Sequence, residues 1–313
     1  MKNFKNKKAF SLIELSIVLL IIGIIIAGVT QSTRIVKQFR ISSARSQTES
    51  SPANSVPGMV AWFDATSERS FDAAESEDAD LTSTDVGIST WYDINNISST
   101  KNNATQSTSS AKPLYYANCM DSLPCVRFDG SNDVLDFTAS ALVGYDYTIF
   151  VVEQRAAAAA GYFIGKSTAP SANTGLLYGY SATSTVIFSH GDSSNHYTVG
   201  TSPAIAAYTT KRPRLHSFTN GIIALEDVNP TYDFYHYLDG SATASTLTAV
   251  GTPALSTLTA FTGATIGAGY NGTSQVFFNG DIGEIIIYNR YLKTEERVSV
   301  EDYLTKKWGI TQI

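Results

Sequence analysis

The residues able to carry chemistry in this chain of 313 residues are few, and their spacing limits what they can do. Hydrolysis of a polysaccharide needs two carboxylates about 5–9 Å apart, commonly from alternate positions of one strand. No E-x-D-x-x-E triplet occurs. Asp281 and Glu284 differ in parity, so a regular strand would turn them to opposite faces. Glu75, Glu77, Asp78 and Asp80 read as a solvated acidic loop. His190, His196, His216 and His236 have no Ser or Cys nucleophile motif beside them. The expectation is a protein that is not an enzyme.

Binding chemistry has more to draw on. Ca²⁺ takes six to eight loop oxygens. Asp129, Asn132 and Asp133 of FDGSND, with Asp281 of NGD, could supply them if their loops meet. The plain alternative is a tight Asp-Gly turn with local hydrogen bonds. Ca²⁺ is the only cofactor the pattern suggests. Cys119 and Cys125 in CMDSLPC are the only cysteines and lack metal or redox spacing. Outside the inner membrane they would form a structural disulfide; free thiols are the other reading. Tyr115, Tyr116, Tyr197 and Tyr270 could offer ring faces to sugars if exposed, or serve as core.

The elements that must position these residues follow from composition. Charged residues are 16% of the chain and hydrophobic ones 43%, with 17 Tyr and 15 Phe. Such aromatic-rich, charge-poor usage points to an all-β domain outside the cytoplasm and argues against disorder. The formal net charge of −6 leaves no basic excess for nucleic acid.

Charge is uneven, however. Residues 1–9 carry Lys2, Lys5, Lys7 and Lys8 and no acid. The run Phe10–Val29 (FSLIELSIVLLIIGIIIAGV) follows, with Glu14 as its one charge. Twenty helical residues reach about 30 Å, enough for a bilayer core. Lysines before the run and the acidic bulk after it place residues 1–9 in the cytoplasm and the rest outside. The run is too long for a secretory signal. It passes without a stop into Gln31–Thr48, which is amphipathic, with Ile35, Phe39 and Ile41 among Arg34, Lys37, Arg40 and Arg45. An acid inside such a span is a functional candidate by default.

KKAFSLIELSIVLLIIGIII resembles the N-terminus of type IV prepilins and type II secretion pseudopilins. The resemblance covers about the first 30 residues. It implies a leader cut by a prepilin peptidase between Ala9 and Phe10, and N-methylation of Phe10. Glu14, fifth from the new terminus, would then be an assembly residue. Ala9 departs from the glycine usual before the cut. An unpaired buried charge is costly and a paired one much less so, so Glu14 of one subunit would neutralise the Phe10 amine of its neighbour and set their register. The implied partners are other pilin or pseudopilin subunits and the inner membrane.

The stretch 49–57 (ESSPANSVP) reads as a short hinge. Beyond it, over 58–313, short alternating runs separated by Asp129-Gly130, Asp239-Gly240, Asn271-Gly272 and Asn279-Gly280 predict about a dozen strands. The expected fold is mainly β, a two-sheet jelly-roll sandwich with a C-terminal helix, preceded by the long N-terminal membrane or filament helix. Thr294 would cap the C-terminal helix, Val300, Leu304 and Trp308 would face the sandwich, and Gly309 would end it. GMVAWFDATS, ISTWYDINN, LPCVRFDGSNDVLDF and IGEIIIYNRYLKTEERVSVEDYLTKKWGI resemble a laminin-G-like (concanavalin A-like) domain. That implies a glycan or matrix-protein ligand, in some relatives with Ca²⁺. Together these readings give a minor pilin or pseudopilin with an adhesive head on the periplasmic or filament side. An anchored lectin-like protein that does not assemble is the alternative, and a carbohydrate-active enzyme the third.

Overall fold

The computed structural model describes residues 11–75, 87–138, 140–166, 175–181, 185–190, 195–199, 211–222, 232–252, 263–271 and 274–313. The chain divides into two compact units, Met1–Ser43 and Ala44–Ile313. The first consists of most of helix α1 (Leu12–Glu49), whose last turns belong to the second unit. Between Leu12 and Ile26 the large apolar side chains are all exposed, Leu12 at 84%. That apolar stretch covers about 22 Å at the helical rise. Among the described residues no helix is long and apolar enough to cross a membrane. Phe10 and the side chains at 28 and 29, part of the expected span, lie outside the description.

In chain order the strands are β1 (Met59–Asp64), β2 (Thr90–Trp91), β3 (Ala104–Thr105), β4 (Leu114–Met120), β5 (Leu123–Asp129), β6 (Leu135–Phe137), β7 (Tyr147–Arg155), β8 (Gly161–Gly165), β9 (Leu176–Tyr180), β10 (Val186–His190), β11 (His196–Val199), β12 (Arg214–Ile222), β13 (Tyr232–Leu238), β14 (Leu247–Val250), β15 (Ala264–Ile266), β16 (Ala268–Tyr270), β17 (Gln275–Phe277) and β18 (Asn279–Tyr288). One sheet runs β13-β12-β7-β18-β5-β4, with β1 also on β18; a second runs β14-β11-β10-β9-β8-β15-β6-β3-β2. A β16–β17 hairpin stands apart. The second unit is therefore a mainly β, two-sheet sandwich.

Alternation along the strands builds two cores. Ile285 and Ile287 face inward with Phe63, Val151 and Phe218, and meet Trp91, Phe163, Tyr178 and Phe188 of the second sheet. Ile286 and Tyr288 face outward with Trp62, Phe150 and Leu215, under helix α2 (Thr294–Lys307). Covered on both sides, β7 and β18 are buried at nearly every position.

Several expectations are corrected by this structure. Asn279-Gly280 is not a turn: it lies inside β18, in register with Asp129 and Phe128. The α2 cap is Lys293, whose N–H donates to Glu296 Oε2 at 2.9 Å, so Thr294 is the first helical residue. Arg290 holds the same Glu296 carboxylate from two nitrogens, at 2.8 and 2.7 Å, which keeps that carboxyl below its usual range. The 49–57 stretch, expected as a hinge, is packed. Pro52–Ser55 makes a 3-10 turn, Ala53 is buried, and Ala53 O accepts from the Tyr288 hydroxyl at 3.3 Å. Val300, Leu304 and Trp308 are buried as expected, and Gly309 takes φ +63° to end the helix.

Candidate functional sites

Glu14 lies in the first turn of α1, where free backbone N–H groups favour an acid. Its Oε2 accepts from Ser11 N at 2.9 Å, and Ser11 Oγ accepts from Ile13 N at 3.3 Å. The carboxylate thus stands at the start of the helix, beside an exposed apolar surface. Ala9 and Phe10 lie outside the described residues, as do Glu77, Asp78 and Asp80.

The head holds a buried polar cluster that sequence reasoning missed. Lys307 Nζ donates to Asp64 Oδ2, Glu284 Oε2 and Thr48 Oγ1, each at 2.8 Å, and contacts the Tyr303 hydroxyl at 3.1 Å. Glu284 is further held by the indole N–H of Trp62 and of Trp308, each at 2.8 Å, and by the Tyr303 O–H at 2.7 Å. Asp64 Oδ1 accepts from Thr66 N and Thr66 Oγ1, both at 2.9 Å. Burial raises the Glu284 carboxyl's pKa, and the nearby Lys307 opposes the rise. The signal in the sequence was a lone acid in the apolar run Ile282–Tyr288 and another directly after Ala61-Trp62-Phe63.

A bulge between Ile282 and Glu284 overturns the parity argument. Ile282 and Ile285 both face the inner core, so Asp281 and Glu284 share the outer face. They still do not form a reacting pair. Asp281 is taken by Arg127, at 2.6 and 3.2 Å, and by Gln154 at 3.4 Å.

The same contacts break up the expected calcium set. Asp129 Oδ1 accepts from Ser131 N at 2.7 Å and Asn132 N at 3.2 Å, as in a local Asx turn. Asp133 Oδ2 accepts from Asp129 N at 2.9 Å, and burial pushes its carboxyl up to about 6. The Asn132 side-chain amide donates to Ser110 O. With Asp281 bound to Arg127, these four residues do not converge on one point. Among the described residues the metal-donor atoms that converge are those of Cys119, Cys125 and Asp281, and the two sulfurs are bonded to each other.

Glu153, His216 and His236 form a second buried chain. Glu153 Oε1 accepts from the Tyr180 hydroxyl at 2.8 Å and lies 3.2 Å from His216 Nε2. His216 Nδ1 lies 3.0 Å from His236 Nε2, and His236 Nδ1 lies 2.9 Å from Ser245 Oγ. An order from serine to His236, His236 to His216 and His216 to glutamate satisfies every link. Burial, followed by the neighbouring His216, holds His236 well below its usual pKa. The fold thus brings a serine to the histidines, which the sequence did not show.

The four tyrosines do not share a surface. Tyr115 is buried, Tyr116 lies under the Arg127 guanidinium, and Tyr197 packs on Phe234. Tyr270 is half-buried at the end of β16. Tyr115 does line a cavity of about 280 Å³ with Phe71, Arg45, Thr66 and Glu68.

Comparison with known proteins places the N-terminus. A family model for the prokaryotic N-terminal methylation motif matches residues 4–30. The segment carrying Glu14 is therefore a prokaryotic N-terminal methylation motif, and the chain is pilin-like there. No curated protein matches the chain. Many solved structures are distantly similar, and three of them illustrate the level of likeness. Domain 4 of AbnA, a GH43 extracellular arabinanase from Geobacillus stearothermophilus in complex with arabinotriose, is 14% identical, over 78% of this chain and 97% of that one, with a TM-score of 0.44. Trypanosoma rangeli sialidase in complex with 2,3-difluorosialic acid is 11% identical, over 82% and 34%, with a TM-score of 0.48. A GH54 α-L-arabinofuranosidase is 12% identical, over 85% and 65%, with a TM-score of 0.45. The chain spans about a third of the sialidase and just under two thirds of the arabinofuranosidase. Likeness at this level speaks for no ligand and no reaction.

Proposed function

We propose that this protein is a minor pilin or pseudopilin whose non-catalytic head binds a ligand outside the inner membrane. The observation that carries the reading is the uninterrupted exposed apolar surface of α1 within a methylation motif. Such a surface needs cover, and a bilayer followed by the helices of other subunits supplies it. Prepilin peptidase cuts between Ala9 and Phe10, Phe10 is methylated, and Glu14 pairs with the Phe10 amine of the next subunit. Before assembly the run Phe10–Val29 holds the chain in the inner membrane as a single pass. At 313 residues the subunit is bulky for a repeating unit, which favours a minor or tip position.

The head is a laminin-G-like binding domain for a glycan or matrix protein. Its buried acids support a non-catalytic role, because Asp64 and Glu284 are sealed from any outside substrate. The cavity beside Phe71 and Tyr115 joins ring edges to the Arg45 and Glu68 charges, a mixture suited to a polar ligand. Mass spectrometry of membrane-extracted protein tests the reading. The expected N-terminus is N-methylated Phe10; an intact Met1 or Lys2 terminus would defeat it.

A further inference from the structure

Asp64, Glu284 and Lys307 come together in a way that goes beyond charge balance. The Lys307 amine touches both carboxylates at 2.8 Å, and all three side chains are closed to solvent. Each is pinned from behind: Asp64 by Thr66, Glu284 by Trp62, Trp308 and Tyr303, and Lys307 by Thr48. Groups held in contact reach very high effective concentrations. Keeping three charges away from water also carries a desolvation cost, and joining two of them as an amide removes part of it.

The geometry points to an intramolecular isopeptide bond between Lys307 Nζ and Asp64 Cγ, formed after folding with Glu284 as the proton carrier. Glu284 takes a proton from the ammonium and leaves a neutral amine. Burial, which raises this carboxyl's pKa, favours that transfer. The nitrogen lone pair then attacks Asp64 Cγ. A C–N bond forms, the Cγ–Oδ2 bond breaks, and the two protons lost by nitrogen leave with Oδ2 as water. One of them passes through Glu284, which ends as the carboxylate it began as. No oxidant or other reactant is needed. In a site sealed from solvent, little water is at hand to reverse the step.

Asp64 is the acyl partner for a geometric reason. Its Oδ1 already accepts both Thr66 donors and can go on accepting them as an amide carbonyl. Converting Glu284 instead would leave an indole N–H or the Tyr303 hydroxyl without its oxygen.

The test is the mass of the full chain, extracted in detergent with its disulfide reduced. The expected mass is one water below that of the processed sequence. Proteolysis should release a branched peptide joining the Asp64 and Lys307 segments. Wild-type protein at full mass, with no branched peptide, would overturn the proposal. Asp64→Asn should give the same linked product, now by loss of ammonia, an outcome that a purely structural salt bridge would not produce. Lys307→Arg should remain unlinked. Glu284→Gln should remain unlinked as well, and a bond formed in that variant would remove Glu284 from the step.

Discussion

Thr48 Oγ1 and Lys307 Nζ lie 2.8 Å apart although 259 residues separate them in the chain. The final turn of the N-terminal helix and the final turn of the C-terminal one therefore share a buried hydrogen bond. Thr48 also donates to Asp64 Oδ2 at 2.7 Å. The strand that opens the sandwich is thus tied to the same point.

Trp308 closes this point, and its loss should be severe. The ring is fully buried and its N–H holds Glu284. Trp308→Ala should lower head stability by about 3–5 kcal/mol. Denaturant unfolding measures it, and a loss below about 1 kcal/mol would show that the ring is not packed as described.

The Cys119–Cys125 bridge ties the β4–β5 hairpin at an edge of the first sheet. It spans six positions in sequence, and so small a loop should contribute about 2 kcal/mol. Replacing both cysteines with serine should lower the unfolding free energy by that amount, moving the denaturant midpoint down, and leave the sheet signal in circular dichroism unchanged. An unchanged midpoint would make the bridge ornamental.

The buried histidine chain should make the head acid-sensitive. His236 has its pKa depressed by burial, so below the ordinary histidine value of about 6.5 the unfolded chain binds a proton that the folded one refuses. Stability from this group is therefore lost as pH falls below about 6.5. Asp133 acts oppositely: its carboxyl is raised to about 6, so acid favours the folded form there. The measurement is the difference in unfolding midpoint between pH 8 and pH 5, wild type against His236→Phe. The wild type should lose more stability; equal losses would refute the assignment.

Glu14→Gln should leave membrane insertion intact and abolish incorporation into filaments, read by fractionation and by immunolabelling of sheared filaments. Normal incorporation would show that the carboxylate is incidental.

Much of the fold was legible because the physics is local. The cores of β7 and β18 announce themselves as the apolar runs Ile149–Val152 and Ile285–Tyr288. The features that were hidden depend on distant partners. Gly267 separates β15 from β16 by taking φ +84° against the Phe128 ring. The alternation of Ala264–Ala268 gives no hint of that corner. At Gly283 the bulge packs the backbone against Trp308, and strand parity cannot foresee it. Lys307 reads as an ordinary basic residue in a last helical turn, yet two acids from remote strands draw it inside. The methylation motif around Glu14 was legible outright, because it is contiguous in the chain.

The Thr48–Asp64–Lys307 junction also fixes how the head would carry load. A pull on the N-terminal helix arrives at Thr48, before the chain enters β1. There it meets the last helix and, through Glu284, the strand at the middle of the first sheet. Force is thus shared at once between the first and last elements of the head, and no edge strand need be unzipped alone. Under tension the weakest link should lie outside the junction, so the domain would not unravel from its first strand.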